Sequence, residues 1–431
     1  MLKQILKYIL IALLTLLARI TLRKYKPKII AVAGSVGKTS TKDAIYTVLN
    51  SSLLVWKSEK SYNSEIGIPL AILGLENAWE NPVKWLFNIV HALQLVVFNK
   101  KYPRYLVLEV GADRPNDIAC IVSWLKPDIS VITSFGYVPV HIEFFKNRDE
   151  LIKEDGKIAE TLKEKGVLIV NRDDEDSLSF KTKTKARAIS YGFKENATIV
   201  SSNSKIMYDD VGVPLGITYK IEYEGNIIPV RLEGVLGNTS VYATLPALLV
   251  GCECGINIVE GIEALNKHKS PPGRLRIIKG IKNTIIIDDT YNSSPIATEE
   301  ALRVLKELRV SNRKIAVLGD MLELGRNSEE EHKKIGERSA GVCNILVTVG
   351  IRARGIAEGA LYFGLPEKNI FQFEDAIRAG KFIEGVIEKG DAILVKGSQS
   401  MRMERIVEEI MSEPEKKEKL LVRQDMEWKR R

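Results

Sequence analysis

The chain has 431 residues, 45% hydrophobic and 27% charged, a composition typical of a soluble globular protein with two or three domains. Its formal charge of +8 comes from the termini: residues 1–28 carry seven basic and no acidic side chains, and residues 413–431 carry seven basic and five acidic ones. The nearly neutral body between them lacks the basic field of a nucleic-acid-binding protein. Four scattered cysteines include one C-x-C pair without a second pair to complete a zinc site, so we expect reduced thiols and a cytoplasmic location.

The first predicted element is a basic, apolar helix in residues 1–28. Its uninterrupted apolar run, residues 8–18, is shorter than the ~20 residues that a spanning helix needs. No small-residue cleavage site follows, which argues against a cleaved signal peptide. A helix on an anionic membrane surface is the favoured interpretation, and a true span or a helix packed on the body or a partner stays open. A second apolar helix is predicted at 83–98; its spacing is more typical of a core face, although it could share that surface.

Residues 29–50 have the order of a phosphate-binding loop: an apolar strand, a glycine loop and a helix. Glycines let backbone N–H groups approach a polyphosphate, Lys38 supplies a cation, and the Thr39 hydroxyl can hold Mg²⁺. Val32 stands where the full pattern has glycine, so the loop is a shortened variant. The predicted nucleotide-binding residues of the loop are Gly34, Ser35, Gly37, Lys38, Thr39 and Ser40.

Further along, short β-branched runs alternate with helical patterns, which predicts parallel sheets with crossover helices. The predicted strands are residues 29–32, 105–109, 129–133, 167–170, 285–288, 315–318, 345–349 and 392–396. Residues 198–236 instead alternate as antiparallel β-structure, with Tyr-Glu-Gly-Asn as a hairpin turn. Ser-Pro-Pro-Gly at 270–273 is the predicted linker.

The predicted fold is therefore α/β. A central P-loop-type ATPase domain with a mostly parallel sheet covers residues 29–270. A Rossmann-like α/β C-terminal domain covers residues 271–412, and a charged, mostly solvated tail follows at 413–431.

Polar residues follow several predicted strands. Glu109 ends a strand opposite the phosphate loop, where a carboxylate is a natural Mg²⁺ ligand. His141 follows another strand, although a lone histidine is more often structural. The remaining candidates at strand ends are Asp288, Asp289, Tyr291 and Asn292 after one strand, and Lys396, Gly397 and Ser398 after another.

Segments spread over residues 29–412 together resemble the Mur ligase family. They include AGSVGKTSTK, NSEIGIPL, LVLEVGAD, VHIEFF, DDTYNSSP, LGDMLELG and LVKGSQSMRME. DDTYN-x-x-P and LGDMLELG resemble the branch that adds D-alanyl-D-alanine to a muramoyl peptide. The resemblance implies ATP-dependent amide ligation through an acyl phosphate in peptidoglycan precursor synthesis, by a monomer that binds small-molecule peptide substrates and no nucleic acid.

The resemblance also implies roles for residues. Lys38 steadies the outer phosphates of ATP, and Thr39, Glu109 and His141 hold Mg²⁺. Arg274 reaches the nucleotide from the C-terminal domain, and Asp288 or Asp289 contacts the ribose. The nucleotide set further includes Tyr291 and Asn292, and the implied substrate-binding residues are Asn63, Asn292, Lys396, Gly397 and Ser398.

The sequence departs from the family in three places. Residues 1–28 stand where the family carries a domain that grips the UDP moiety. Asp155 stands where the family has a carbamylated lysine, and its carboxylate could take over that catalytic role. In the adenine-side segment 237–243, two polar residues of the family pattern are replaced. Two alternatives stay open: the same chemistry on a polyglutamyl or lipid-linked acceptor, and a catalytically weak nucleotide-binding scaffold.

Overall fold

A computed structural model describes residues 2–58, 62–79, 81–425 and 428. The first helix, α1 (Leu2–Tyr25), packs its second half on the body, where Leu14, Leu17 and Ala18 are buried. Its first half is solvent-exposed from Leu6 to Ile9. Within the described ranges, no helix has the length and apolarity needed to cross a bilayer. The interpretation of a helix packed on the body therefore holds for the second half of α1.

The strands of the first sheet are β1 (Lys28–Ala33), β2 (Val55–Lys57), β3 (Tyr105–Glu109), β4 (Ile129–Ile132), β5 (Val167–Asn171), β6 (Arg187–Gly192), β7 (Ile199–Tyr208), β8 (Pro214–Tyr223) and β9 (Asn226–Glu233). The helices of this part are α2 (Lys38–Leu49), α3 (Gly67–Leu73), α4 (Pro82–Val97), α5 (Asp117–Val122), α6 (Arg148–Glu160), α7 (Glu175–Ser179), α8 (Asn238–Glu253) and α9 (Ile258–Asn266).

The second sheet contains β10 (Arg276–Lys279), β11 (Ile285–Asp289), β12 (Lys314–Gly319), β13 (Ile345–Val349), β14 (Ile370–Phe373) and β15 (Ala392–Lys396). Its helices are α10 (Pro295–Glu307), α11 (Ser328–Ala340), α12 (Arg354–Tyr362), α13 (Ala376–Val386), α14 (Glu404–Ile410) and α15 (Lys417–Leu420).

The order of the first sheet is β2-β3-β1-β4-β5-β6-β7-β8-β9. Strands from β2 to β7 are parallel, and β7, β8 and β9 form an antiparallel meander. The predicted hairpin turn is confirmed: Tyr223 pairs with Asn226, and Glu224 and Gly225 between them both have positive φ, as a type I′ turn requires.

The order of the second sheet is β10-β11-β15-β12-β13-β14, and all of its pairs are parallel except β10 with β11. The predicted α/β fold class is confirmed. Because the carboxyl ends of parallel strands meet at one edge, each sheet gathers the loops that follow its strands into one crevice. The predicted linker at 270–273 lies between α9 and β10, so it joins the two sheets.

The tail differs from its prediction. Leu421, Val422 and Arg423 are buried against the C-terminal domain, so the expectation of a mostly solvated tail is wrong for these residues. These tail residues are buried because they contact residues that are distant in sequence. Val422 packs near Gly273, and the Arg423 guanidinium donates to backbone carbonyls after β11. Tail residues 426–427 and 429–431 lie outside the described residues.

Candidate active site

The glycine loop between β1 and α2 has the geometry of an anion site. Gly34 has φ +118°, and a Cβ there would lie 2.4 Å from the Thr133 hydroxyl, so only glycine fits. Gly37 caps α2 with φ +86°, and a Cβ there would meet only open space. The first N–H groups of a helix have no helical acceptor, so the first turn of α2 directs donors and a positive dipole end into this space.

The loop is fixed by its neighbours. The N–H groups of Ser35 and Val36 both donate to the Ser134 carbonyl at 2.9 Å, so they tie the loop to the segment after β4. The ammonium of Lys38 donates to the carbonyl of Gly34. The phosphate-binding role predicted for Ser35 therefore has to come from its side chain or from a different loop arrangement.

Glu109 at the end of β3 faces the first turn of α2. Its Oε1 accepts from the Thr39 hydroxyl at 3.2 Å, and its Oε2 lies 3.6 Å from the Lys42 ammonium. All three side chains are buried. Among the described residues, Oε2 of Glu109 accepts no hydrogen bond, which leaves a buried carboxylate oxygen available for a cation.

Asp155 on α6 faces this site. Burial raises the pKa of its carboxyl to about 6, and the charges of Lys38 and His141 act in the opposite direction, which places both residues near it. The backbone N–H of Ala112 also donates to it. The structure thus brings together the three predicted catalytic residues, Lys38, His141 and Asp155; their roles stay predictions.

The two lysines that flank Asp155 do not replace the family's lysine. Lys153 is exposed, and Lys157 pairs with Glu154 at 2.5 Å.

His141 lies at the boundary with the C-terminal domain. Its Nδ1 is 2.6 Å from Oε2 of Glu323, and its Nε2 is 3.5 Å from Oδ1 of Asp113. The neighbouring His141 imidazole lowers the pKa of Glu323. The structure therefore places His141 between two carboxylates, one from each domain, and its role as a metal ligand stays a prediction.

Arg274 enters the same site from the C-terminal domain. Its Nη2 lies 3.5 Å from the Thr39 hydroxyl, and its guanidinium stacks over the Tyr291 ring at 4.1 Å. Within the described part of the chain, the buried Nε of Arg274 has no acceptor. Arg274 therefore reaches the central domain beside the glycine loop, and its contact with a nucleotide stays a prediction.

The two aspartates at the end of β11 have different surroundings. Asp288 is fully buried, accepts from Gly273 N–H and from both donors of Thr290, and has a pKa raised to about 6 by burial. Asp289 accepts from the Leu275 N–H at 3.2 Å and pairs with Lys396 at 2.5 Å. Both carboxylates are therefore engaged in holding the linker and β15, and a ribose contact from either stays a prediction.

The predicted substrate-binding residues occupy two places. Asn63 lies beside Lys38, since a Cβ on Gly111 would meet both side chains. Lys396 is buried and donates to the backbone carbonyl of Asn292 at 3.0 Å, and burial lowers its pKa. Ser398 accepts from the Leu322 N–H at 2.8 Å, and Gly397 packs on Gly319 so closely that a Cβ would lie 3.2 Å from the Gly319 Cα.

A cleft of about 1220 Å³ adjoins the glycine loop and separates the two domains. Near the start of α8, the Tyr242 hydroxyl donates to Asp173 at 2.8 Å, and the Asn238 N–H donates to Glu300 on α10 at 2.6 Å. The cleft has room for a nucleotide beyond its phosphates. The substituted segment 237–243 lines it through Asn238, Thr239, Tyr242 and Ala243.

Sequence analysis missed several residues of this site. Lys42, Asp113 and Glu323 contact predicted site residues and lie inside the segments AGSVGKTSTK, LVLEVGAD and LGDMLELG, so the matched segments contained the signal. Arg423 had no signal, because it lies in a charged tail and its backbone partners are more than 130 residues away.

Two family models match the chain. One, the Mur ligase middle domain, matches residues 32–251, and the other, the Mur ligase glutamate ligase domain, matches residues 273–399. The chain belongs to the Mur ligase family. The gap between the two matches, residues 252–272, contains the first three residues of the 270–273 linker.

Several relatives of this Mur ligase carry the same enzyme name. This chain is 29% identical to the UDP-N-acetylmuramoyl-tripeptide–D-alanyl-D-alanine ligase of Bacillus subtilis, over 92% of this chain and 79% of the relative. It is 26% identical to the Escherichia coli enzyme of the same name, over 88% of this chain and 76% of the relative. The MurF ligase structure from Thermotoga maritima in complex with ADP is similar with a TM-score of 0.76 and 28% identity, over 95% of this chain and 84% of that one.

Proposed function

We propose that this Mur ligase is an ATP-dependent amide ligase that adds D-alanyl-D-alanine to a muramoyl peptide in peptidoglycan precursor synthesis. The observation that carries the proposal is the approach of Arg274 to Thr39 across the domain boundary, beside the glycine loop and Glu109. A nucleotide at this place would contact both domains. The names of the relatives supply the substrate class.

The donor set fits ATP with Mg²⁺. Glu109 has a buried carboxylate oxygen that accepts no hydrogen bond among the described residues, and the Thr39 hydroxyl lies beside it. In the described ranges, no group of three or more His, Cys, Asp or Glu side chains is arranged to hold a metal. Mg²⁺ commonly takes one or two protein oxygens and completes its shell with phosphate oxygens and water, so Thr39 and Glu109 suit it. Mg²⁺ would supply charge neutralisation at the phosphates.

The chain's own residues then have separable roles. Lys38 and the first N–H groups of α2 would neutralise the outer phosphates, and Arg274 would add a positive charge from the other domain. Asn63, beside Lys38, would orient the carboxylate substrate. The buried Lys396 and the neighbouring Asn292 would position the incoming amine. Catalysis of this type is mainly positioning and charge stabilisation, which a site between two domains provides when they close.

We also propose that the enzyme is a cytoplasmic monomer that attaches peripherally to an anionic membrane surface through residues 1–28. The exposed residues Leu6, Tyr8 and Ile9 beside Lys7 on α1 support attachment, because this pattern suits a helix lying in the bilayer interface.

The ligase proposal is tested by phosphate release from ATP in the presence of the UDP-muramoyl tripeptide and D-alanyl-D-alanine. We expect release that requires both substrates, together with a new amide product in mass spectrometry. If turnover requires a different acceptor, the proposed substrate is wrong but the proposed ligase chemistry stands. ATP binding without product for any amine, dipeptide or muramoyl peptide would favour the scaffold alternative and contradict the proposal.

A further inference from the structure

Helix α4 presents an apolar face to solvent. Six of its side chains, Val83, Leu86, Phe87, Val90, Leu93 and Val97, are between 43% and 69% exposed. They follow the i, i+3, i+4, i+7 spacing of one helix face, while Ala92 and Leu95 on the opposite side are buried in the core. A continuous exposed face of this size is uncommon on a protein that contacts only water.

Helix α1 is joined to α4 at the end of both helices. The Lys24 ammonium donates to the carbonyls of Val96 and Phe98 at 2.9 and 2.7 Å, and the Tyr25 hydroxyl contacts the carbonyls of Leu95 and Phe98 at 3.1 Å. Lys24 therefore caps the C-terminal end of α4, where a cation is favourable. These contacts join α1 and α4 into one unit at their C-terminal ends.

The charged side chains on the two helices of this unit are all basic. Residues 1–42 and 81–108 contain no aspartate or glutamate. Exposed cations lie on or beside the two helices, with Lys7, Arg19 and Arg23 on α1 and Lys84, Lys100 and Lys101 on or after α4. Of these, Lys84 is paired with the exposed Glu76 at 3.1 Å. An apolar face on helices that carry cations and no acids complements an anionic bilayer, whose headgroups attract Lys and Arg while its acyl region accepts the apolar side chains.

We propose that α4 and α1 together form a membrane-docking surface, with α4 supplying most of its apolar contact, and that its occupant is an anionic phospholipid bilayer. This inference rests on the proposed peripheral attachment and extends it from residues 1–28 to a second helix. A second copy of the chain fits less well, because it would place the same positive segments against each other. α4 lies in the interface with its apolar face toward the acyl chains, and the catalytic crevice stays on the cytoplasmic side of the headgroups.

The test is co-sedimentation of the full chain with phosphatidylglycerol vesicles and with phosphatidylcholine vesicles. We expect binding to the anionic vesicles that weakens when salt rises from about 0.1 M to about 1 M, where the screening length falls from about 10 Å to about 3 Å. The double variant Leu86→Ser/Phe87→Ser should lower the partition coefficient by roughly tenfold or more, since it removes two large apolar side chains from the interface. Both positions are exposed, so the variant should fold.

A matched control is Tyr362→Ser/Phe363→Ser, another adjacent pair of exposed aromatic residues, on the C-terminal domain. This control should bind vesicles as the unmodified chain does. If the unmodified chain does not prefer anionic vesicles, the peripheral attachment itself is wrong.

If Leu6→Ser/Ile9→Ser abolishes binding while the α4 variant retains it, attachment through α1 survives and this inference is overturned. A concentration-dependent dimer that the α4 variant abolishes would also overturn it in favour of self-association. ATP turnover in solution is measured separately, so a failure of the ligase proposal is distinguished from a failure of docking.

Discussion

The Nδ1 atom of His141 lies 2.6 Å from Oε2 of Glu323, and the two residues belong to different domains. Both have left-handed backbone conformations, with φ +70° and +63°, which cost on the order of 1 kcal/mol for residues other than glycine. Two strained residues that meet across a domain boundary indicate a functional contact rather than a contribution to stability.

Replacing Glu323 by glutamine keeps its size but removes its charge. We expect Glu323→Gln to lower the ligation rate by about tenfold or more, because His141 loses the partner that orients it. The free energy of unfolding should change by less than about 1 kcal/mol, since both side chains are partly exposed. Steady-state kinetics and urea unfolding measure the two effects. Glu329→Gln, an exposed ion-pair residue on α11, is the control, and equal rates for both variants would contradict the prediction.

Two lysines in the first turns of α2 should respond differently to substitution. Lys38→Ala should abolish ATP turnover and change the free energy of unfolding by about 0.5 kcal/mol or less, because its partner is one loop carbonyl. Lys42→Met should lower that free energy by about 3–5 kcal/mol, since it leaves the buried Glu109 carboxylate without its cation. Thermal unfolding measures the effect of each substitution on stability, and phosphate release measures its effect on ATP turnover. Ligation by Lys38→Ala at the normal rate would refute the loop assignment.

Substitutions at Asp155 test whether its carboxylate replaces the carbamylated lysine of the family. If its carboxylate takes over the role of the carbamate, Asp155→Asn should lose most ligase activity, and Asp155→Lys should give an enzyme whose rate depends on bicarbonate. Asp149→Asn, at an exposed position on the same helix, is the control and should remain active. Full activity of Asp155→Asn would show that the residue is not part of the catalytic site.

His268 should make stability depend on pH. Burial lowers its pKa to about 4, from about 6.5 in the unfolded chain, and its Nδ1 lies 2.8 Å from the Thr47 hydroxyl. Between pH 6.5 and pH 4, the unfolded chain binds a proton at His268 that the folded chain does not bind. The stability that the neutral His268 contributes is therefore fully present above about pH 6.5, and it is lost as the pH falls toward 4. The loss is about 2 kcal/mol at pH 5.

Asp155 and Asp288, whose pKa values are raised, act in the opposite direction, so His268 has to be isolated by difference. We expect the stability gap between the unmodified chain and His268→Gln to shrink by about 2 kcal/mol between pH 7 and pH 5. Urea unfolding at both pH values measures it. His91→Gln, at an exposed position on α4, should show no such change, and a constant gap for His268→Gln would contradict the prediction.

Arg423 should position the turn after β11. Its guanidinium donates to the carbonyls of Thr290 and Tyr291 and to Oε2 of Glu404, and it is buried. Arg423→Lys keeps the charge but loses the planar fork, so we expect a higher KM for ATP, because Tyr291 carries the stacked Arg274.

The control for this prediction is Arg405→Lys on α14, which should leave the KM for ATP unchanged. A loss of stability in Arg423→Lys without any change in KM would assign Arg423 a purely structural role.

Local patterns allowed prediction of the fold class and much of the site. The strand, glycine loop and helix around Lys38 are contiguous, and Glu109 and Asp289 directly follow apolar strands, so the topology brings them to sheet edges. The exposed face of α4 was not predicted, because a helix that is apolar on nearly every side does not show which side is buried. The apolar spacing of 83–98 is more typical of a core face, yet Leu93 and Val97 within it are exposed. Arg423 depends on distant backbone carbonyls that no local pattern encodes.

The anchoring of Arg274 has a consequence for product release. The N–H groups on either side of it, those of Gly273 and Leu275, donate to Asp288 and Asp289 at the end of β11. These two hydrogen bonds fix the backbone of Arg274 to the C-terminal domain. Its guanidinium reaches the central domain, where Nη2 lies 3.5 Å from the Thr39 hydroxyl. We expect domain opening to break this approach while the hydrogen bonds that hold Gly273 and Leu275 to β11 stay formed. Spent nucleotide can then leave without local unfolding, and the next closure restores the cation to the same position.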